Sequence, residues 1–359
     1  MNRAAPTLLV VLVAVSSACG GETSDDSRRA LLASWGEHVI LPGYRDFETT
    51  AESLHDAAET LCNAPSSEAL RDARSAWWDA RAPWKQNEIL AFGPYREEPL
   101  RLGPKIDFWP VRVDAIEQIL SDTSPIAADA LGAAARGFPV IEYLLYQPDT
   151  DIVTDFAASP RRCEYLLAIT DDLAHRAREM RRAWDPAHGD YLGELVEAGR
   201  TGAMFDNPTA AVGEIVNRMA FAIENIRADK LGRPLGATTG GSPQPDKAES
   251  RFSGRSLDDI RDNLRGIERL YFGDGSQDSK GLDFYTPRDK GFAQAMQDQL
   301  AAAREVLDQI PMPLTVAVIE QPAPVSATID QLGELQRLIQ VDIINALGLT
   351  PRFNDNDGD

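Results

Sequence analysis

Apolar residues recur at intervals of three and four along almost the whole chain, which is the spacing of one face of an α-helix. The pattern is clear after Ser66, which has N-cap character, in the series Leu70, Ala73, Trp77, Ala80 and Trp84. No segment shows the alternation of period two that is typical of a half-buried strand. The pattern therefore predicts an all-α fold, with further helices over residues 160–184, 207–230, 256–270, 287–310 and 325–347.

The second half of the chain repeats part of the first at an offset of 180 residues. The matches are Arg81 with Arg261, Glu88 with Glu268, Leu90 with Leu270, and Phe92-Gly93 with Phe272-Gly273. They predict an internal duplication that gives two similar helical bundles packed with a cleft between them. A chance match between two amphipathic helices is the alternative. Because segment 231–250 is rich in Gly and Pro, we place the first bundle at 31–235 and the second at 236–359.

The N-terminus has the pattern of an export signal. Residues 1–18 contain one basic residue, a short apolar run and then small residues directly before Cys19, which is typical of a bacterial lipoprotein signal peptide. We therefore expect lipidation of Cys19 and a polar tether over 19–30. The chain would be exported and held in the cell envelope facing the periplasm, with the outer membrane favoured. An ordinary secreted protein with a free Cys19 is the alternative.

Composition narrows the possible functions. The chain carries 36 Lys and Arg against 56 Asp and Glu, a net charge of −20, which argues against nucleic-acid binding. Only four histidines are present, so a site built from several imidazoles is disfavoured. In an oxidising compartment Cys62 and Cys163 form an even pair, and we predict a disulfide between them; two buried free thiols are the alternative.

One predicted helix places charged and aromatic residues on a single stripe. Its members are Arg74, Trp77, Arg81, Trp84 and Glu88, at helical spacings of three and four. Charges among tryptophans cannot face a dry core without partners. The stripe is either an internal ladder of ion pairs and cation–π contacts, or the lining of a polar cleft in which Glu88 is offered to a cation.

Two more acidic residues stand in apolar surroundings. Glu142 lies in the strongly apolar segment 137–146, and Asp107 lies among aromatic residues in segment 106–110. A buried Glu142 must be satisfied by an arginine, by hydrogen bonds or by a metal ion.

These stretches, taken in order, resemble the imelysin family. The resemblance covers most of the mature chain and rests on Ala73-Arg74, Ala76-Trp77, Ala80-Arg81, Trp84, Glu88, Phe92-Gly93-Pro94, Asp107-Phe108-Trp109-Pro110, Gly137, Glu142-Tyr143-Leu144-Leu145, Glu249-Ser250, Ser253, Ser256-Leu257, Asn263-Leu264, Gly266, Leu347-Gly348-Leu349, Phe353-Asn354 and Asp357-Gly358-Asp359. It implies an exported, all-helical protein of two bundles with a cleft, related to a metalloprotease and to lipoproteins of iron uptake.

The chain departs from the family at the residue that matters most for chemistry. The family pattern is Gly-x-His-x-x-Glu, in which His and Glu on one helical face hold a metal ion, and here the His position is Pro139. Proline offers no ligand, so we lean against an enzyme. The carboxylates of Glu142, Glu88 and Asp107 remain as candidate ligands for iron or another hard cation.

Arg81, Arg74, Trp84 and Glu268 complete the set of candidate site residues. Arg81 is also the residue that could neutralise Glu142 and leave a pocket without metal. We therefore expect a binding lipoprotein with a carboxylate- and arginine-lined cleft, associated with iron or other metal acquisition and its uptake partners. The alternative is a non-catalytic interaction lipoprotein for a protein or a small organic ligand. An active metallopeptidase is less favoured.

Overall fold

The computed structural model describes residues 24–147 and 150–352, which are helices, short helical turns and loops without any strand. This confirms the all-α prediction. The sixteen α-helical segments of this part of the chain are α1 Ser24–Trp35, α2 Leu41–Asn63, α3 Ser67–Asn87, α4 Gly103–Ile106, α5 Val113–Ser121, α6 Phe138–Tyr146, α7 Ile152–Ala158, α8 Pro160–Trp184, α9 Tyr191–Val196, α10 Pro208–Asn225, α11 Arg233–Leu235, α12 Ser256–Phe272, α13 Phe292–Leu307, α14 Leu314–Glu320, α15 Pro322–Arg337 and α16 Ile344–Ala346.

Three π-helical stretches join pairs of these helices into longer rods. They are Gly36–Ile40 between α1 and α2, Ile226–Gly232 between α10 and α11, and Leu338–Ile343 between α15 and α16. None of the helices described here combines the length and the apolarity needed to cross a bilayer.

Side-chain caps fix several helix starts where the sequence predicts them. Ser66 accepts a hydrogen bond from the backbone N–H of Ala69, Ser159 caps α8, and Asn207 caps α10. The helix predicted from residue 287 begins later, at Phe292, because residues 288–290 form a 3₁₀ turn that ends at Gly291 with φ +67°.

The N-terminal predictions lie mostly outside the described residues. The signal peptide and Cys19 are not described, and the structure says nothing of them. The polar tether predicted to reach residue 30 is helical from Ser24 onwards. Two acidic residues in the first turn of α1 favour that helix, and Leu31 and Leu32 bury its inner face.

The two halves of the chain meet where α12 packs against α3, while α2 packs between α3 and α8 and α13 packs on α15. The two facing helices approach closely at Gly266, where an added Cβ would lie 2.0 Å from the carbonyl oxygen of Gln86. The matched stretches of the predicted repeat begin in these two helices, at Arg81 of α3 and Arg261 of α12, and the first of them continues beyond the end of α3. The duplication itself stays a prediction.

A disulfide ties α2 to α8. It joins Cys62, at the end of α2, to Cys163, in the first turn of α8, with 5.5 Å between their Cα atoms. Because 101 residues separate the two cysteines, this bond closes a loop that includes α3 to α7.

Candidate functional site

Arg81, on α3, is the centre of a buried network between α3 and α12. Its side chain is 1% exposed. The Nε atom donates to both carboxylate oxygens of Asp259, at 3.1 and 3.0 Å, and the two terminal nitrogens donate to Asp107 at 3.2 Å and to Glu249 at 3.0 Å. The rings of Trp77 and Phe138 each lie 5.4 Å from its guanidinium carbon. Every direction of this guanidinium is therefore satisfied by the protein.

Lys85 lies one helical turn further along α3 and is fully buried. Its Nζ atom is 2.9 Å from Glu88, 2.7 Å from Asp107 and 2.5 Å from Glu249. One oxygen atom from each of these carboxylates lies within 4.8 Å of the other two, a spacing that could suit a metal ion. The ammonium group of Lys85 stands among the three, where such an ion would have to bind.

Two further cations complete the network. Lys230, in the π-helical stretch after α10, lies 2.6 Å from Glu88 and 3.0 Å from Glu249 and donates to Asn263 at 2.8 Å. Arg255 pairs with Asp259 and, at 2.7 Å, with Asp262. We call the following eight residues the ion-pair cluster: Arg81, Lys85, Glu88, Asp107, Lys230, Glu249, Arg255 and Asp259.

The cluster holds Lys85, Glu88 and Glu249 in their charged forms. Burial alone would lower the pKa of Lys85, but the carboxylates of Asp107, Glu249 and Glu88 raise it well above its usual value. Burial would likewise raise the pKa of Glu88, yet Lys230 and Lys85 lower it to about 2. The same two lysines, with Arg81, lower the pKa of Glu249 against the effect of its burial. At neutral pH the cluster is thus a set of compensated charges.

Glu142, on α6, is satisfied by hydrogen bonds, which is one of the three possibilities that the sequence left open. It is 2% exposed, and its Oε1 atom accepts hydrogen bonds from the backbone N–H groups of Phe252 and Ser253, at 3.1 and 2.8 Å, and from Ser253 Oγ at 2.7 Å. Burial raises the pKa of Glu142 to about 7, although the hydrogen bonds from Ser253 act against this rise. The structure therefore uses Glu142 to hold the loop before α12.

The surroundings of Pro139 and Glu142 do not fit a metalloprotease centre. The two residues line a cavity of about 10 Å³, at or below the size needed for a single water molecule. Pro139 supplies no ligand atom, and Glu142 is already occupied with backbone N–H groups. Neither this cavity nor the acidic triad around Lys85 has the free ligands that a catalytic metal ion needs.

The structure brings together only some of the candidates predicted from the sequence. Glu88, Asp107 and Arg81 meet in the ion-pair cluster, and Trp84 borders it by donating its indole N–H to Asp107 at 2.9 Å. The other three candidates, each with a different partner, are Arg74, which donates to the carbonyl of Leu145 at 2.9 Å; Glu142, described above; and Glu268, which pairs with Arg304 at 2.6 Å.

Five members of the cluster were not among the sequence-predicted candidates: Lys85, Lys230, Glu249, Arg255 and Asp259. Lys85 did have a local signal, since it lies four residues after Arg81 and three before Glu88 on the same helix. Glu249 lies in one of the stretches that carry the family resemblance, but nothing local distinguishes it. Asp259 reaches Arg81 of α3 from 178 residues away, and Lys230 reaches Glu88, directly after α3, from 142 residues away. Such contacts are set by tertiary packing, which periodicity does not reveal.

A solvent-accessible cleft adjoins the cluster. It has a volume of about 330 Å³ and lies between α10, α12 and the loop that follows α3. Its polar lining includes Tyr95, three arginines (Arg96, Arg101 and Arg218), Asn263 and the carboxylate of Glu88, whose side chain is 21% exposed. Glu88 is therefore shared between the buried cluster and the cleft.

Comparison with known proteins gives consistent matches over most of the chain. Residues 40–340 match peptidase family M75, imelysin. Iron-regulated protein A of Synechococcus elongatus is 27% identical over 330 residues, which cover 88% of this chain and 87% of that protein. A crystal structure of an iron-regulated protein A precursor from Parabacteroides distasonis has a TM-score of 0.76 at 21% identity, and the match covers 92% of this chain and 97% of that one. An imelysin-like protein from Psychrobacter arcticum has a TM-score of 0.73 at 19% identity, with 92% and 99% covered.

Because the sequences of the structural neighbours are distant, their similarity establishes the fold alone. The family match spans the helices that build the cluster and the cleft. The resemblance carried by the sequence motifs is confirmed, and this all-helical chain belongs to the imelysin family.

Proposed function

We propose that this chain is a non-catalytic binding protein associated with iron acquisition, and that it binds its ligand in the cleft beside the ion-pair cluster. The similarity to iron-regulated protein A supports the link to iron. The cleft supports the binding role, because it is the place where one member of the cluster, Glu88, reaches solvent beside three arginines.

The position of Lys85 is the observation that carries the non-catalytic part of the proposal. Three carboxylates that could have held a hydrated cation are neutralised by its ammonium group at 2.5 to 2.9 Å. A bare metal ion would have to displace a buried lysine, while Arg81 and Lys230 would still repel it. Iron would therefore reach this protein with its own ligands and would not be bound by the acidic triad.

The location follows from the N-terminal pattern. A signal peptide over residues 1–18 and a lipid on Cys19 would place the helical body at the envelope surface, facing the periplasm, with the outer membrane as the favoured site. Uptake proteins of the same envelope would then be its partners. The alternative function, an interaction lipoprotein for a protein or a small organic ligand, gains support from the way Arg81 fills the interior of the site.

Calorimetric titration tests the binding function. The full exported chain, solubilised in detergent, is titrated with Fe(III) as its citrate complex, and with Zn(II) and Ca(II) as chlorides. We expect micromolar or tighter binding of the ferric complex and no comparable binding of the two bare ions. Absence of any ferric binding would refute the proposal and favour the interaction lipoprotein.

Two companion assays test the remaining parts. Incubation with unfolded casein and zinc should produce no cleavage, and zinc-dependent cleavage that a chelator stops would overturn the non-catalytic assignment. Metabolic labelling with a clickable fatty acid should mark the wild-type chain and leave Cys19→Ser unmarked. Equal labelling of both would remove the basis for the predicted anchor.

A further inference from the structure

The cleft described above has a charge pattern that specifies its ligand further. Its lining contains three arginines and a single carboxylate, in a chain whose net charge is −20. Such a local excess of positive charge, recessed between helices, attracts anions into the cleft although the protein as a whole is negatively charged and repels them. The cleft is therefore suited to a small anionic molecule.

The three guanidinium groups have binding capacity left. In the described part of the chain no carboxylate pairs with Arg96, and Arg101 has only a loose contact with Glu98 at 3.8 Å, between side chains that are 60% and 74% exposed. An exposed pair at that distance contributes little, so an incoming anion competes easily for Arg101.

Arg218, on α10, is the positioned member of the three. Its Nε atom donates to Glu214 at 2.7 Å, and the rings of Phe221 and Phe92 lie 5.6 and 6.0 Å from its guanidinium carbon. This fixes the plane of the guanidinium, while its two terminal nitrogens make no hydrogen bond within the described residues. A guanidinium held in this way is suited to bind a carboxylate through two parallel hydrogen bonds.

Two neighbouring groups complete the lining. The ring of Tyr95 stacks on Trp84, with 5.5 Å between centroids and 9° between planes. Burial, with the nearby charges of Glu88 and Asp107, raises the pKa of Tyr95, so its hydroxyl stays protonated and can donate. Glu88 is the one ionised acceptor in the lining. A ligand that fits this lining has anionic oxygens for the arginines and a cationic or donating part for Glu88.

We propose that the cleft binds ferric iron as an anionic complex with a small polycarboxylate. Arg96, Arg101 and Arg218 hold the carboxylates of the complex, and Glu88 faces its cationic or hydrogen-bond-donating part. This inference rests on the proposed iron-linked function. Ferric iron is a hard cation that prefers oxygen ligands, and a polycarboxylate that surrounds it presents carboxylate oxygens outward. The volume of about 330 Å³ lies at the small end of the range for ligand pockets, which excludes a folded partner segment.

Calorimetry on the full exported chain in detergent tests the inference with the wild type and three variants. The wild type, Arg96→Ala/Arg101→Ala and Arg218→Gln are compared with Arg71→Ala, an exposed arginine of α3 whose side chain is 68% exposed and which lies outside the cleft. Each is titrated with ferric citrate, gallium citrate and metal-free citrate, at low and at high NaCl. Thermal unfolding of each variant checks that the fold is intact.

We expect ferric and gallium citrate to bind the wild type and Arg71→Ala equally well, and to bind each cleft variant at least tenfold more weakly. High salt should weaken the wild-type interaction, because the recognition is electrostatic. Ferric citrate binding that is unchanged in both cleft variants would overturn this inference and leave the iron-binding function standing. Metal-free citrate that binds as tightly as the ferric complex, and through the same arginines, would support the anion site and count against the iron-linked function. No binding of any of the three would overturn both.

Discussion

Replacing Lys85 with methionine removes one buried charge from the middle of three carboxylates. The oxygens of Glu88, Asp107 and Glu249 lie within 4.8 Å of one another, so each ionised pair repels by at least 3.5 kcal/mol in an effective dielectric of about 20. Arg81 and Lys230 remain and offset part of this repulsion. Loss of one partner from a buried ion pair destabilises a protein by about 3–5 kcal/mol, and we expect a loss of that size here.

Thermal unfolding measured by circular dichroism gives the assay. For a chain of this length the entropy of unfolding is about 0.7 kcal/mol per kelvin, so a loss of 4 kcal/mol lowers the Tm by about 6 °C. The matched control is Lys247→Met, since the side chain of Lys247 is 39% exposed and pairs at the surface with Asp246. The control should unfold within about 1 °C of the wild type.

The pH dependence separates charge repulsion from loss of packing. In Lys85→Met the crowded carboxylates take up protons more easily, so the difference from the wild type should shrink as the pH falls from 7 towards 5. Millimolar Ca²⁺ should leave the Tm of this variant unchanged, because Arg81 and Lys230 still pair with the three carboxylates and repel a bare cation. A Tm within about 1 °C of the wild type, or a difference that is the same at pH 5 and pH 7, would refute the reasoning.

Three other predictions concern Glu142, the disulfide and Pro139. The pKa of Glu142 rises from 4.5 in the unfolded chain to about 7 in the folded protein. At pH values between these two, the folded state therefore keeps a proton that the unfolded state has lost. Stability should therefore fall by up to about 3 kcal/mol as the pH rises through that window and level off above it, and Glu142→Gln should lack this fall in urea titrations. Cys62→Ser/Cys163→Ser should lower the free energy of unfolding by about 2–4 kcal/mol, because the bond closes a loop of about a hundred residues; an unchanged urea midpoint would contradict this. Pro139→His, which restores the family's histidine, should cost about 1–3 kcal/mol because the cavity of about 10 Å³ cannot take an imidazole, and it should bind no zinc in calorimetry.

Local sequence signals predicted the helices well because the information lies within each helix. The N-cap character of Ser66 and the spacing of three and four define α3, α8 and α10 before any tertiary contact is considered. The errors lie at helix ends, where packing against neighbouring elements decides at which residue the helix begins or ends. The helix predicted over 325–347 begins earlier, at Pro322, and its residues 338–343 are π-helical.

The candidate site was only partly predictable for the opposite reason. The stripe of α3 indicated that Arg81 and Glu88 needed buried partners, and one of the two interpretations, an internal ladder, describes the cluster well. The sequence could not show that Glu142 is held by backbone N–H groups 110 residues away. Nor could it show that the ammonium group of Lys85 occupies the position that a metal ion would take. Both depend on how α6 and α12 are placed against α3.

The ion-pair cluster draws its charges from both sides of the molecule. Arg81 and Lys85, from α3, are balanced in part by Glu249 and Asp259, which belong to the other half of the chain. Neither half can therefore be discarded without leaving charges of the other uncompensated inside a helical body. We therefore expect that deletion of one half destabilises the other, and that a charge change at one of these positions is tolerated only with a matching change at its partner.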